Sequence, residues 1–141
     1  MPAYASRFLY FNTNGGKFQV FYIYLYMKEK RHCDPSLEHL QNTHERFVLR
    51  FREKHPDTPV IMLSSPDVIF KGEPFRLRRD VIKRTYENAL AQGDGNVYFL
   101  DGEALFGDED ADICTVDACH PNDLGHYRMA MKIAPVLKNL L

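Results

Sequence analysis

Residues 55–67 read HPDTPVIMLSSPD, and the four apolar residues at 60–63 lie between two proline-containing turns. A short continuous apolar run that is bounded by turn residues is typical of a strand covered on both faces. A second run, VYFL at 97–100, follows a glycine-containing turn at 93–95 and ends at Asp101 and Gly102. These two runs predict two buried strands of one sheet.

The segment before the first of these strands has the spacing of an amphipathic helix. Its stripe recurs at three- and four-residue intervals and contains Leu37, Leu40, His44, Phe47, Val48 and Phe51. Asp34 is the predicted cap, with Pro35 at the first helical position, and His55 with Pro56 ends the helix. We expect His44, inside this stripe, to be a packed or hydrogen-bonded histidine.

Two further helices follow the same pattern. The first ends at the turn at 93–95 and has a stripe of Leu77, Val81, Ile82, Ala89 and Leu90. The last opens near Asn122 and has one face made of Leu124, Tyr127, Met131, Ala134, Leu137 and Leu141. Pro135 is expected to kink or split it, because proline lacks the backbone N–H. Strands that alternate with helices predict an α/β fold with a parallel sheet.

The first thirty residues differ in composition from the rest. They hold nine of the eighteen Phe and Tyr residues and a single acidic residue, Glu29. Residues 7–11 and 17–26 are β-favouring runs on either side of NTNGG at 12–16, which predicts a hairpin or strand pair. We place a boundary between this aromatic segment, 1–31, and a domain at 32–141. Because residues 17–27 are apolar on both faces, they are expected to add to the sheet as a strand.

Length, charge and cysteine content exclude several classes of protein. The 141 residues fit one domain of ~150 residues. Eighteen basic against nineteen acidic side chains argue against a broad nucleic-acid surface. The longest apolar run, residues 20–27, is far shorter than the ~20 residues of a membrane span. Three cysteines in a chain of this size favour a reducing compartment, so we expect a cytoplasmic protein.

The chemistry is concentrated in residues 117–126, which read DACHPNDLGH. Pro121 disfavours the α conformation for His120, so this histidine is expected on an extended turn ahead of the last helix. Asp117 can hold one ring nitrogen of His120 while the other acts as a general base. In parallel-sheet folds such a loop lies with the carboxyl ends of the strands, where ligands bind. A bare D-x-x-H also occurs in structural turns, so the pattern alone leaves that alternative open.

The run DACHPNDLGHYRMA at 117–130, with VYFLDGEALFG at 97–107, resembles the C-terminal part of the SGNH (GDSL-type) esterase and acylhydrolase family. Looser similarity at 34–44 and 55–67 extends the resemblance over residues 33–141. It implies a flavodoxin-like three-layer α/β/α parallel sheet. It also implies that Asp117 and His120 are the orienting acid and general base of a Ser-His-Asp triad. The substrate would be a small ester or an acetylated carbohydrate, with no cofactor.

The resemblance does not extend to the family's nucleophile. That serine lies in a Gly-Asp-Ser block after the first strand, whereas Ser6 lies in no such block and Ser64 and Ser65 follow a later strand. We therefore expect the rear portion of such a hydrolase, truncated at its N-terminal side. Two hypotheses remain: an ester hydrolase or a fragment of one, and a catalytically inactive α/β domain. The inactive domain would act in assembly, as half of a split enzyme or with a second copy of the chain.

Three further clusters fit simpler structural roles. Cys114, Cys119, His120 and His126 match none of the usual zinc spacings, so ordinary core cysteines are favoured. Asp108, Glu109, Asp110 and Asp112 lack the pattern of a calcium loop, so a solvated loop is expected. Arg76, Arg78, Arg79, Lys83 and Arg84 are expected to form a solvated helix face. No metal site is predicted.

Overall fold

The computed structural model describes residues 7–12, 19–24, 36–66 and 68–140. In chain order its elements are β1 (Arg7–Asn12), β2 (Gln19–Tyr24), α1 (Leu37–Lys54), β3 (Val60–Leu63), α2 (Val68–Lys71), α3 (Glu73–Ala91), β4 (Val97–Leu100) and α4 (Asp123–Leu140). Two 3₁₀ turns, Gly102–Ala104 and Ala111–Cys114, lie between β4 and α4. No helix in these ranges is long and apolar enough to cross a bilayer.

The described strands form one sheet in the order β1-β2-β3-β4. β1 and β2 are antiparallel, with Leu9 opposite Tyr22. β2, β3 and β4 are parallel, so Ile61 lies between Tyr22 and Tyr98. The expected N-terminal strand pair and its addition to the sheet are confirmed. The turn between the two strands and the boundary at 31 and 32 lie outside the described residues, and the two-segment division stays a prediction.

The core lies on both faces of β3, all of whose side chains are buried. Because side chains alternate along a strand, Ile61 and Leu63 face one side and Val60 and Met62 face the other. The first side packs against Leu105, Phe106, Cys114 and Met129, and the second against Val48, Ile82 and Val97. Since Val48 and Ile82 belong to α1 and α3 and Met129 to α4, the three-layer α/β/α arrangement is confirmed.

The start of α1 differs from the prediction. Ser36 is its cap, and the Ser36 hydroxyl oxygen accepts a hydrogen bond from the His39 backbone N–H at 3.1 Å. The prediction of Asp34 as the cap is therefore wrong, because Ser36 supplies an oxygen at the point where the helix begins at Leu37. Asp34 and Pro35 themselves lie outside the described residues.

The buried helix stripes are narrower than the sequence pattern. On α1 only Leu40, His44 and Val48 are fully buried, while Phe47 is exposed. On α3 the predicted stripe residues Leu77 and Leu90 are also exposed. These positions lie at the margin of each stripe, where one helix packed on one sheet face leaves the flanks in solvent.

The last helix is rotated relative to the prediction. Tyr127 and Met131 are 62% and 58% exposed, whereas Gly125 and Met129 are buried. Gly125 faces inward and lies so close to the Cys114 carbonyl oxygen that a Cβ at this position would collide with it. The helix continues through Pro135, so the expected split is wrong. The carbonyl that Pro135 leaves unbonded belongs to Met131, whose exposed position allows water to bond it.

The basic stretch on α3 is not uniformly solvated. Arg79 is 19% exposed, and its guanidinium contacts Glu103 at 2.6 Å and Asp101 at 3.7 Å. The prediction of a solvated face is therefore wrong for Arg79, because the two carboxylates that follow β4 draw it inward. Lys83 remains on the surface and pairs with Glu87 one turn away.

Candidate active site

The loop that connects the second 3₁₀ turn to α4 is a small hairpin. Thr115 and Pro121 form an isolated antiparallel bridge. The Val116 N–H donates to the His120 carbonyl at 3.0 Å, and the Asn122 N–H donates to the Cys114 carbonyl at 3.0 Å. These bonds place His120 in the returning arm of the hairpin, just ahead of α4, as the sequence predicted.

The carboxylate of Asp117 organises the tip of this hairpin. One oxygen, Oδ1, accepts hydrogen bonds from the backbone N–H groups of Cys119 at 3.1 Å and His120 at 2.7 Å. The other, Oδ2, lies 2.6 Å from Nδ1 of the His120 ring. The predicted contact between the two side chains is confirmed.

The same bonds set the charge of Asp117. The His120 backbone N–H is the largest cause that lowers the pKa of Asp117 below its usual value, and the hydrogen bond from the His120 ring adds to it. The carboxylate is therefore ionised at neutral pH. Since an ionised carboxylate only accepts hydrogen bonds, Nδ1 of His120 must be the donor.

This tautomer decides what the pair can do. A neutral ring with its proton on Nδ1 holds its lone pair on Nε2, the nitrogen turned away from the carboxylate. The side chains of His120 and Asp117 are 39% and 48% exposed, so a substrate can approach them. Chemically, Nε2 can accept a proton while Asp117 stabilises the resulting cation.

Thr115 and Asn122, to which the sequence analysis gives no role at the site, support the hairpin. The Thr115 hydroxyl oxygen accepts from the Ala118 N–H at 3.0 Å, and Asn122 caps α4 by accepting from the Gly125 N–H at 3.0 Å. Ala118 has a φ of 58°, a left-handed conformation that allows the chain to fold back onto Asp117. The available signals were a Thr at a turn and an Asn directly before a helix.

Among the serines with described side chains, Ser36 and Ser64 have structural roles. Ser36 caps α1, and Ser64 is 1% exposed with its hydroxyl oxygen accepting from the Gly102 N–H at 2.7 Å. Gly102 is required there, since a Cβ would collide with the Ser65 carbonyl oxygen. Ser64 therefore links the ends of β3 and β4 and is no accessible nucleophile. Ser65 is half-buried at the same strand end, and Ser6 lies outside the described residues.

The remaining clusters show no metal-binding geometry within the described part of the chain. Cys114 and Cys119 are buried, and Cys114 packs in the core with Leu63. In the described ranges no group of three His, Cys, Asp or Glu side chains is arranged to hold a metal ion. The acidic residues at 108–110 and 112 are exposed. A groove of about 620 Å³ between Arg52, Asp94 and Asn96 lies at the amino ends of β3 and β4, away from the hairpin.

A family model described as GDSL-like Lipase/Acylhydrolase family matches residues 33–138. This chain belongs to the GDSL-like lipase/acylhydrolase family. The match contains α1, β3, α3, β4, the hairpin with Asp117 and His120, and all of α4 except its last two residues. No curated protein matches the chain.

Several solved structures are similar to the chain. A GDSL-like lipase from Bacteroides ovatus is 31% identical, with a TM-score of 0.63 over 77% of this chain and 34% of that protein. The salicylyl-acyltransferase of a tetracycline biosynthetic pathway is 25% identical, with a TM-score of 0.58 over 74% and 33%. A family two carbohydrate esterase from Clostridium thermocellum, 19% identical, shares the fold with a TM-score of 0.59 over 77% and 31%. The chain spans about a third of the length of these structures.

Proposed function

We propose that this chain supplies the acid–base pair of a serine ester hydrolase, with His120 as general base and Asp117 as the residue that orients it. The observation that carries the proposal is the 2.6 Å contact between Asp117 Oδ2 and His120 Nδ1. Membership of the GDSL-like lipase/acylhydrolase family supports it, since ester chemistry is what the family description names.

In the proposed reaction, Nε2 of His120 removes the proton from a serine hydroxyl as its oxygen attacks the ester carbonyl carbon. The bond to the leaving alcohol then breaks, and the imidazolium returns the proton to that alcohol. Water then attacks the acyl carbonyl carbon as Nε2 removes a proton from it, and the imidazolium returns that proton to the serine oxygen as the acyl–serine bond breaks and the acid leaves. Asp117 remains ionised and stabilises the imidazolium at both stages.

The serine and the oxyanion donors are proposed to lie outside the described residues. The hydroxyl groups of Ser36 and Ser64 are hydrogen-bonded within the fold, and the chain spans only about a third of the length of the solved relatives.

We keep a small ester or an acetylated carbohydrate as the proposed substrate. The half-exposed position of the pair supports this, because an open loop leaves room for a large alcohol group. A cytoplasmic location also stays a proposal, supported by the odd number of cysteines, three, in a chain of this size.

The test is hydrolysis of p-nitrophenyl acetate by the chain and three variants. We expect slow turnover by the chain itself, which falls to the uncatalysed rate in His120→Ala and drops severalfold in Asp117→Asn. His126→Ala is the matched control, since His126 is an exposed histidine on the same helix start, and its rate should equal that of the parent. Equal rates for the parent and His120→Ala would contradict the proposal. Fast turnover with stoichiometric phosphonate labelling of Ser65 or Ser6 would place the nucleophile within the chain.

The alternative is an inactive α/β domain that acts in assembly. One observation favours it: β1 is an outer strand of the described sheet, so within that sheet its backbone is bonded on one side only. An outer strand can pair with a second copy of the chain. Sedimentation measurements decide between the two, because a dimer that is lost on deletion of residues 1–12, without any His120-dependent hydrolysis, is the outcome expected for the alternative.

A further inference from the structure

The side chain of Asn122 is bonded at both of its ends. Its amide nitrogen donates to the Ile113 carbonyl at 2.6 Å, and its amide oxygen accepts from the Gly125 N–H at 3.0 Å. Ile113 belongs to the 3₁₀ turn before the hairpin that carries Asp117 and His120, and Gly125 belongs to the first turn of α4. One side chain therefore joins the elements on either side of the hairpin.

These bonds lie at the base of the hairpin, where residues 113 and 114 meet residue 122. We call this base the neck of the hairpin. Residues 114–121 leave the 3₁₀ turn and return to α4, and the Asn122 backbone N–H already bonds the Cys114 carbonyl at the same place. The amide of Asn122 adds a second link, one residue earlier along the outgoing arm. Both arms of the hairpin are thus fixed relative to each other at their base.

His120 is connected to this neck through a single residue of restricted geometry. Pro121 has its φ fixed by its ring, so a fixed Asn122 leaves little rotational freedom to the His120 backbone. The outgoing arm carries Asp117, and the returning arm carries His120. A hydrogen bond of 2.6 Å between their side chains requires that the two arms keep their relative positions.

The residue type fits this double task. An amide presents a donor and an acceptor on one short side chain. Serine or aspartate at the same position could still accept from the Gly125 N–H, but neither offers the nitrogen donor that reaches the Ile113 carbonyl. The link across the neck is therefore specific to the amide, whereas the helix cap is not.

We propose that Asn122 is a positioning residue, which holds His120 against Asp117 by tying the neck of the hairpin. Its effect on geometry follows from the contacts above, and its effect on ester hydrolysis rests on the proposed function. Asn122 acts through Pro121 and the hairpin backbone and does not itself touch the reacting groups.

The experiment compares the chain with Asn122→Ser and Asn122→Asp by NMR of the His120 ring. The measured quantity is the exchange rate with water of the Nδ1 proton that binds Asp117. Asn88→Ser is the matched control, because the Asn88 amide also joins two elements, donating to Glu45 at 3.0 Å, but far from the hairpin. Helix content by circular dichroism reports whether the α4 cap is kept.

We expect the ring proton to exchange about tenfold faster in both Asn122 variants, as for the loss of one hydrogen bond, and at the parental rate in Asn88→Ser. Folded Asn122 variants with exchange rates within about twofold of the parent would overturn the proposal. Unfolding of both variants, with Asn88→Ser still folded, would also overturn it, since Asn122 would then support the whole fold. Faster ring exchange together with ester hydrolysis that does not depend on His120 would leave this role standing and refute the proposed function alone.

Discussion

At the scale of single residues, the hairpin contains a strained position. Ala118 has a φ of 58°, where its Cβ is crowded, and this costs an L-residue roughly 1–2 kcal/mol. Glycine removes that cost but gains unfolded-state entropy worth about 0.4–1 kcal/mol. We expect Ala118→Gly to raise the free energy of unfolding by about 0.5–1 kcal/mol in urea titrations.

Ala130→Gly is the matched control for that change. Ala130 is an exposed position inside α4, where glycine should lower the free energy of unfolding by about 1 kcal/mol. If both glycine substitutions destabilise the protein to the same extent, Ala118 is not strained in the way that its φ indicates.

His44 is the residue whose burial makes the fold sensitive to acid. It is 3% exposed between α1 and α3, with Nδ1 2.8 Å from the Thr85 hydroxyl, and Nε2 has no hydrogen-bond partner among the described residues. Burial lowers the pKa of His44 from 6.5 to about 4. Below pH 6.5 the unfolded chain binds a proton that the folded chain does not, so stability falls as the pH drops toward 4.

His44→Leu should remove this part of the pH dependence. Between about pH 7 and pH 4.5 we expect the parent to lose about 2–3 kcal/mol more of its unfolding free energy than the variant does. Urea titrations at the two pH values give this difference directly, because the other titrating groups are shared. Equal losses in both proteins would show that His44 does not contribute.

At the scale of elements, Arg52 ties three of them together at the amino end of the sheet. From the last turn of α1 it contacts Asp94 at 2.7 Å, and it donates to the carbonyls of Thr58 and Asn96, which precede β3 and β4. Arg52 and Asp94 are only 17% and 18% exposed. Removal of the guanidinium would leave the largely buried Asp94 carboxylate without its counter-charge and would take a donor from each of the two carbonyls, although the Val60 N–H still bonds the Asn96 carbonyl.

We expect Arg52→Ala to lower the free energy of unfolding by about 3 kcal/mol. Arg50→Ala is the matched control, since Arg50 is 73% exposed and pairs with Glu53 on the helix surface, an interaction worth about 0–1 kcal/mol. Thermal and urea unfolding would show the contrast. Similar effects of the two substitutions would contradict the role given to Arg52.

The elements themselves are largely predictable from the sequence, and the reasons for the exceptions are local. β3 and β4 are predictable because a short apolar run between turn residues is too short for a helix and too apolar for a loop. The hydrophobic pattern does not predict which face of α4 is turned inward. That face is set by the close approach of Gly125 to Cys114, which leaves no periodic signal in the sequence. The burial of Arg79 is missed because its carboxylate partners, Asp101 and Glu103, are distant in sequence.

At the scale of the whole molecule, the N-terminal segment completes the sheet. β2 pairs with all four residues of β3, whose side chains are all buried, so it covers one backbone edge of that strand. Deletion of residues 1–27 should therefore leave an aggregating or molten protein, which size-exclusion chromatography and near-UV circular dichroism would detect. A truncated chain that stays monomeric and cooperatively folded would show that the segment is an appendage.

The candidate site is predictable only in part, because its groups differ in their separation along the chain. Asp117 and His120 are neighbours in sequence, so their spacing and Pro121 are enough to predict the contact. A serine triad also needs groups that are brought together only by the tertiary fold, and the spacing of Ser64 and Ser65 from the hairpin carries no such information. The burial of Ser64 under Gly102 is evident only from the structure.

The central claim, that Asp117 fixes the His120 ring so that Nε2 is the base, is tested most directly by the ¹⁵N chemical shifts of that ring at neutral pH. We predict that Nδ1 carries the proton in the parent. We also predict that this proton gives a downfield ¹H resonance, which is lost in Asp117→Asn. A ring protonated on Nε2 alone, or a spectrum unchanged by Asp117→Asn, would contradict the claim.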